Sequence, residues 1–154
     1  MKTEQIIDIT KLHLKRLESA TDDEAWHYED WEFFRLSTIT PSTRVHDVVL
    51  PIWRDINEHV IVVGSFGGSD KEPDWVGNLR RKAGLFYTRE EFFSFEAEFL
   101  FGIERTSIWE QLCADRPNYL DYQKKTTRKF PLIRIKNEQE RVRANGEINQ
   151  RLYE

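Results

Sequence analysis

Cysteine is nearly absent from this chain: its 154 residues hold one, Cys113. A lone cysteine cannot close an intramolecular disulfide, and it excludes a cysteine-built zinc site or iron–sulfur cluster. Long hydrophobic runs are missing as well. The longest, around Val60–Val63, has the length of a strand and falls far short of a bilayer span. No apolar stretch follows Met1-Lys2-Thr3-Glu4-Gln5, so a secretory signal peptide is not expected. Positive charge is not in excess. A formal net charge of −4 removes the electrostatic basis for generic nucleic-acid binding. With no internal repeat and no linker rich in Pro, Gly or Ser, the expectation is a soluble, cytoplasmic globular protein.

Aromatic residues are what the chain has in plenty. Its 10 Phe, 5 Trp and 5 Tyr argue against disorder, because each can bury a large area. Residues 4–18 set Ile6, Ile7, Ile9, Leu12, Leu14 and Leu17 at mostly helical spacing. Thr21-Asp22-Asp23-Glu24 has the spacing of a capping box and predicts a second helix from about Asp22 to Phe34. That helix would turn Trp26, Trp31, Phe33 and Phe34 onto a core or a pocket. From Leu36 the period changes. Arg44–Arg54 and His59–Ser65 are rich in Val and Ile, with Asp55-Ile56-Asn57-Glu58 between them, which predicts a β-hairpin.

Gly67–Pro73 reads as an open loop, and Pro73 suits the first turn of a short helix that ends near Gly84. Phe93, Phe95, Ala97, Phe99 and Phe101 alternate with mostly polar neighbours, a strand with one apolar face that should point into a single core. Helices at about Thr106–Ala114 and Asn118–Lys125 and a strand at Pro131–Lys136 follow. Asn137–Glu154 is polar throughout. Several antiparallel strands with helices outside them predict an α+β fold around a small antiparallel barrel.

Few constellations carry chemistry. His13, His27, His46 and His59 never fall into a metal spacing, and Glu24-x-x-His27 is half of a di-iron helix motif without its second half. Cys113, in Trp109-Glu110-Gln111-Leu112-Cys113, reads as packing, since no fixed base stands near it. The basic run Lys124, Lys125, Arg128, Lys129 could draw an anion but has the ordinary look of a solvated face. Ile61–Leu79 is more informative: a strand enters a glycine loop, and a helix follows from a proline. Small residues let a planar ligand or a phosphate approach the backbone, whose free N–H groups favour anions. Trp75 offers a stacking face there, and Asn78 a hydrogen bond to a ring edge.

The pattern Ser65-x-Gly67-Gly68-x-x-x-x-Pro73-x-Trp75-x-x-Asn78-Leu79 resembles the deazaflavin-dependent nitroreductases, relatives of the split-barrel flavin reductases. A second block agrees with it. Arg116-Pro117-Asn118-Tyr119-Leu120-Asp121-Tyr122-Gln123, continuing through Thr126, Arg128 and Pro131, is similar to that family's YPxYxDYQxxTxRxIPV. The resemblance covers roughly Leu36–Lys136. It implies a split β-barrel over 36–136, with a helical extension over 1–35 before it and a polar tail over 137–154 after it.

The same resemblance implies an oxidoreductase. It would pass a hydride from coenzyme F420, an 8-hydroxy-5-deazaflavin, or from FMN, to a quinone, enone or nitroaromatic. Ser42, Thr43 and Arg44 would stand at the cofactor's phosphate, and Gly64, Ser65, Phe66, Gly67, Gly68, Trp75 and Asn78 around its ring. Ile52, Tyr119 and Tyr122 would face the substrate, with Tyr119 as the catalytic donor. No partner is implied beyond the small-molecule substrate and a second copy of the chain.

One loop departs from the family. Where relatives carry G-R-[RK]-[ST]-G, this chain has Thr40-Pro41-Ser42-Thr43-Arg44, with one arginine and no glycine. A second function class therefore stays open: a barrel without deazaflavin that isomerises, cyclises or simply binds a small molecule. Fold alone does not choose between the two.

Overall fold

In the computed structural model, residues 30–88 and 90–137 are described, together with 8, 11, 12, 15 and 26–28. Seven strands lie in one antiparallel sheet: β1 (His27–Tyr28), β2 (Trp31–Ile39), β3 (Val45–Arg54), β4 (Val60–Val63), β5 (Gly84–Tyr87), β6 (Phe92–Phe99) and β7 (Leu132–Asn137). Their order is β1-β2-β3-β4-β7-β6-β5. A second pairing of β5 with β2, through Arg35↔Tyr87, Leu36↔Phe86 and Ser37↔Leu85, closes six of them into a small barrel. Closure leaves few unpaired edges, and β1 occupies the stretch of β2 that β5 does not reach.

The strand period of two divides the side chains between two layers. Phe34 and Leu36 of β2, Ile52 of β3, Val60 and Val62 of β4, Phe86, Phe95, Ile133 and Ile135 fill the barrel. Phe34, Phe86 and Phe93 stack in series, with ring centroids 4.4 and 4.6 Å apart. Helix α1 (Asp74–Arg81) contributes Trp75, Val76 and Leu79 to the same core. Its acidic first residue and its terminal Arg80 and Arg81 complement the helix dipole. Outside the barrel, α2 (Gly102–Asp115) and α3 (Asn118–Gln123) cover β3, β4 and β7. Ile108, Leu112, Cys113 and Tyr119 meet Trp53, Ile61 and Leu132 there.

The hairpin, the helix after Pro73, the two later helices and the last strand stand where the sequence reading puts them. The helix expected over Asp22–Phe34 does not. Its second half is strand, because Trp31–Ile39 alternates as a strand must: Phe34, Leu36 and Thr38 are all but fully buried in the barrel, one every second residue. Pairing with both β3 and β5 overrides the local helix signal. The Thr21–Glu24 box itself, most of the expected helix at 4–18 and the tail after Asn137 lie outside the described residues. Strand β5, which closes the barrel, is four residues long and carries too little pattern to be read in advance. Phe101 is corrected as well. It is 84% exposed, since β6 ends at Phe99 and the chain turns at Phe101 into α2.

Candidate active site

Two loops, α1, β3 and the α2–α3 corner hold the residues that the sequence singles out. The first loop joins β2 to β3. The Thr40 N–H donates to the Arg44 carbonyl and the Thr43 N–H to the Thr40 carbonyl, both at 2.9 Å, while the Thr40 hydroxyl accepts the Arg44 N–H at 3.0 Å and lies 3.1 Å from the Ser42 hydroxyl. The Thr43 hydroxyl donates to the Ser42 carbonyl at 2.6 Å. The hydroxyls thus serve the turn itself. Thr43 has φ +64°, a left-handed conformation that costs a β-branched residue energy and that glycine adopts freely.

The second loop, Gly64–Ser69, leaves β4. Phe66, Gly67 and Gly68 have successive φ values of +46°, +61° and +84°. A Cβ on Gly68 would lie 2.6 Å from the carbonyl oxygen of Tyr122, and one on Gly64 would lie 2.6 Å from Pro131 and 2.9 Å from Val76. Both glycines are therefore required by packing against the protein. This packing accounts for glycine at both positions without calling on a ligand.

Arg128 fixes this second loop. Its guanidinium donates to the carbonyls of Gly64 at 2.8 Å, Ser65 at 3.0 Å and Ser69 at 2.9 and 3.2 Å. Gln123 donates to the carbonyls of Thr126 and Arg128, and the Thr126 hydroxyl accepts the Arg128 N–H. Burial pushes the Arg128 pKa down, with Glu72 and Asp70 opposing. The solvated basic run expected over Lys124–Lys129 is corrected at Arg128, whose guanidinium is turned onto these carbonyls. All six residues from Gln123 to Arg128 are polar, so composition alone does not separate the three that build this clamp, Gln123, Thr126 and Arg128, from a solvated turn.

Trp75 and Asn78 come up beneath the two loops from α1, both almost fully buried. Asn78 has committed its amide: Nδ2 donates to the Thr38 hydroxyl at 3.0 Å, and Oδ1 accepts from Arg81 at 2.6 Å. This ties α1 to the end of β2 and brings Arg81 to the end of the barrel where the first loop sits. Arg44 and Arg81 have no carboxylate partner among the described residues, and the buried Nδ1 of His46, opposite Thr38 in the ladder, has no partner there either. Two unneutralised cations and an orphaned ring nitrogen beside a backbone turn suit a negatively charged ligand in kind.

At the α2–α3 corner, Tyr119 is 5% exposed and meets Tyr122 edge-on at 5.9 Å. Burial pushes the Tyr119 phenol up to about 12, against the pull of the neighbouring Arg116. The hydroxyl therefore keeps its proton at neutral pH. Ile52 does not join this pair. Its side chain points into the barrel, whereas Trp53, next to it on β3, points outward to the tyrosines' layer. Only the Ile52 carbonyl reaches the corner, where it accepts Arg116 Nη2 at 3.1 Å. Cys113 is buried in the same layer, and burial raises its thiol pKa, as a packing residue requires. Among the described residues no group of three or more His, Cys, Asp or Glu could hold a metal ion, and no helix is long and apolar enough to cross a membrane.

Known proteins supply the context for this geometry. A solved F420-H2 dependent reductase is 25% identical over 68% of this chain and 93% of its own, with a TM-score of 0.58. A domain-swapped dimer is 23% identical over 84% of this chain and 98% of its own, with a TM-score of 0.61. HutZ, a heme storage protein from Vibrio cholerae, is 13% identical over 89% of this chain and 91% of its own, with a TM-score of 0.51. The last two share the fold alone. The profile of the F420H(2)-dependent quinone reductases matches residues 43–138, which include the second loop, α1 and the α2–α3 corner but only the last two residues of the first loop. By that match, the chain belongs to the F420H(2)-dependent quinone reductase family.

Proposed function

We propose that this protein is a reductase that takes a hydride from a reduced deazaflavin of the F420 type and delivers it to a small organic acceptor, a quinone, an enone or a nitroaromatic. One observation carries the reading. The family match spans both sequence blocks, and the fold packs them together through the Arg128 contacts and the close approach of Gly68 to Tyr122.

When bound, the reduced ring supplies the hydride. The rest falls to the chain. Arg44 and Arg81, with the Ser42 and Thr43 turn and His46, hold an anionic tail at the barrel end. The backbone of Gly64, Ser65, Phe66, Gly67 and Gly68 borders the ring, and Trp75 and Asn78 form a floor in which the Asn78 amide is already engaged. Tyr119 keeps its proton at neutral pH and donates to the acceptor oxygen on which negative charge grows. Tyr122 and the Ile52 backbone border the acceptor.

A second reading has its own support. The hydroxyls of Thr40, Ser42 and Thr43 are engaged within their own turn, which favours a barrel that has given up the deazaflavin and acts on a small molecule without redox chemistry. Titrating the protein with F420, FMN and FAD, by calorimetry and by visible absorption, separates the two. The reductase reading expects F420 to bind and Arg44→Ser to weaken it about tenfold, the loss of one charge-assisted contact. Binding of FMN alone would change the cofactor. Binding of none would favour the non-redox reading.

A further inference from the structure

Arg116 joins α2 to α3, and its guanidinium is held on two sides. Its Cζ lies 4.0 Å over the Trp31 ring, and Nη2 donates to the Ile52 carbonyl at 3.1 Å. The group also stands close enough to the Tyr119 hydroxyl to influence that group's ionisation. What it lacks is an anion. Nη1 is buried and has no hydrogen-bond partner, and among the described residues no carboxylate pairs with the guanidinium. The adjacent Asp115 instead accepts the Trp53 indole N–H at 2.8 Å.

Two other arginines show the contrast. Arg134 is met by Glu98 at 2.9 Å, Glu104 at 2.7 Å and Asp55 at 3.6 Å. Arg128 is spent on backbone carbonyls. A buried charged donor left unpaired is costly to the folded state, and an oxygen anion placed against it offsets that cost.

We propose that Arg116 is a specificity-determining residue that selects acceptors carrying an anionic oxygen, a carboxylate or an ionised hydroxyl, on the planar group to be reduced. The inference rests on the reading above that places the acceptor beside Tyr119 and Tyr122. Two donors of different character stand side by side at this corner: a permanent cation whose Nη1 amino group is unused, and a phenol that keeps its proton. Together they suit one negatively charged oxygen. A neutral quinone satisfies the phenol and leaves Nη1 unpaired; an ionised hydroxyquinone satisfies both. Stacking on Trp31 and the bond to Ile52 hold the guanidinium plane before the ligand arrives, so little ordering is needed on binding. Because Nη1 is out of contact with water, an entering ligand must displace a neighbour. Tyr122 is half-buried at this corner and meets Tyr119 edge-on.

The test is a calorimetric titration of the full chain, without cofactor, with a hydroxynaphthoquinone that is ionised at neutral pH and with the parent naphthoquinone. Wild type is expected to bind the anion at least about tenfold more tightly, the worth of one charged hydrogen bond. Arg116→Gln should bring the two affinities together, and Arg116→Lys should keep part of the preference. Lowering the pH until the hydroxyquinone is neutral should abolish the preference in wild type, a readout that needs no variant to fold. Equal affinities in wild type at neutral pH, a preference unchanged in folded Arg116→Gln, or no binding of either compound would each overturn the proposal. Turnover of reduced F420 with no anion preference would remove the role of Arg116 and leave the reductase reading intact. An anion preference without F420 binding would keep the acceptor site and remove the redox reading.

Discussion

The two loops at the candidate site hold their shapes by opposite means. Thr40–Arg44 is closed by bonds within itself, stands exposed at the barrel end and contains one strained residue, Thr43. Gly64–Ser69 has three successive left-handed residues, and its carbonyls are bound by Arg128, about sixty positions further along the chain. The difference teaches where each loop's information resides. The first can be rewritten without disturbing the barrel, and it is where this chain departs from its family. The second cannot change unless α3 and the segment after it change with it.

Substitutions should separate the two loops by size of effect. Gly68→Val is expected to do the most damage, about 4 kcal/mol or more in chemical denaturation, because a side chain at φ +84° would also strike the Tyr122 backbone. A cost under about 1 kcal/mol would mean that the loop is not pinned as described. Arg128→Ala should follow at about 3 kcal/mol, since it strips donors from three carbonyls at once. Arg128→Lys should recover less than half of that, because an ammonium cannot fork between them.

Tyr119, on the helix against which the pinned loop leans, supplies a pH test. Its folded-state pKa, about 12, lies above the ordinary phenol value of 10.0, so the native state keeps a proton that the unfolded chain releases. The resulting stability is complete below about pH 10 and is lost as pH rises towards 12, at most roughly 2–3 kcal/mol. Stability measured from pH 9 to 12 should show this fall in wild type and not in Tyr119→Phe. A parallel fall in both would assign it to other groups. The smallest effect belongs to the exposed loop: Thr43→Gly should leave stability unchanged or raise it by about 1 kcal/mol, as the left-handed strain is relieved. A loss of more than about 1 kcal/mol would show that this turn, too, depends on its side chain.

The sequence made the barrel legible wherever one pattern ruled alone. Phe92–Phe99 alternates cleanly, Asp55–Glu58 separates two Val-rich and Ile-rich runs, and Pro73 marks the start of α1. It misled where two patterns overlapped. Trp31–Ile39 follows a capping signal and is dense in aromatics, and only its pairing with β3 and β5, both distant in sequence, makes it a strand. The blocks of the candidate site were visible as motifs, but not the division of labour within them. Gly68 and Asn78 serve packing and bonding inside the protein, and Arg128 turns from a surface cation into a backbone clamp. Ile52 and Tyr119 were grouped together, yet the strand period sends the Ile52 side chain to the barrel side of β3, away from the tyrosines.

In the proposed reaction the α2–α3 corner receives an acceptor next to a protonated tyrosine while a deazaflavin supplies the hydride. Anaerobic oxidation of reduced F420 by a model quinone, followed by absorbance for wild type and Tyr119→Phe, tests it most directly. Wild-type turnover is expected, with a loss of about a hundredfold or more in the variant at nearly unchanged stability, the worth of one donor to the developing charge. No oxidation of reduced F420 by wild type, or equal rates in the two proteins, would contradict it.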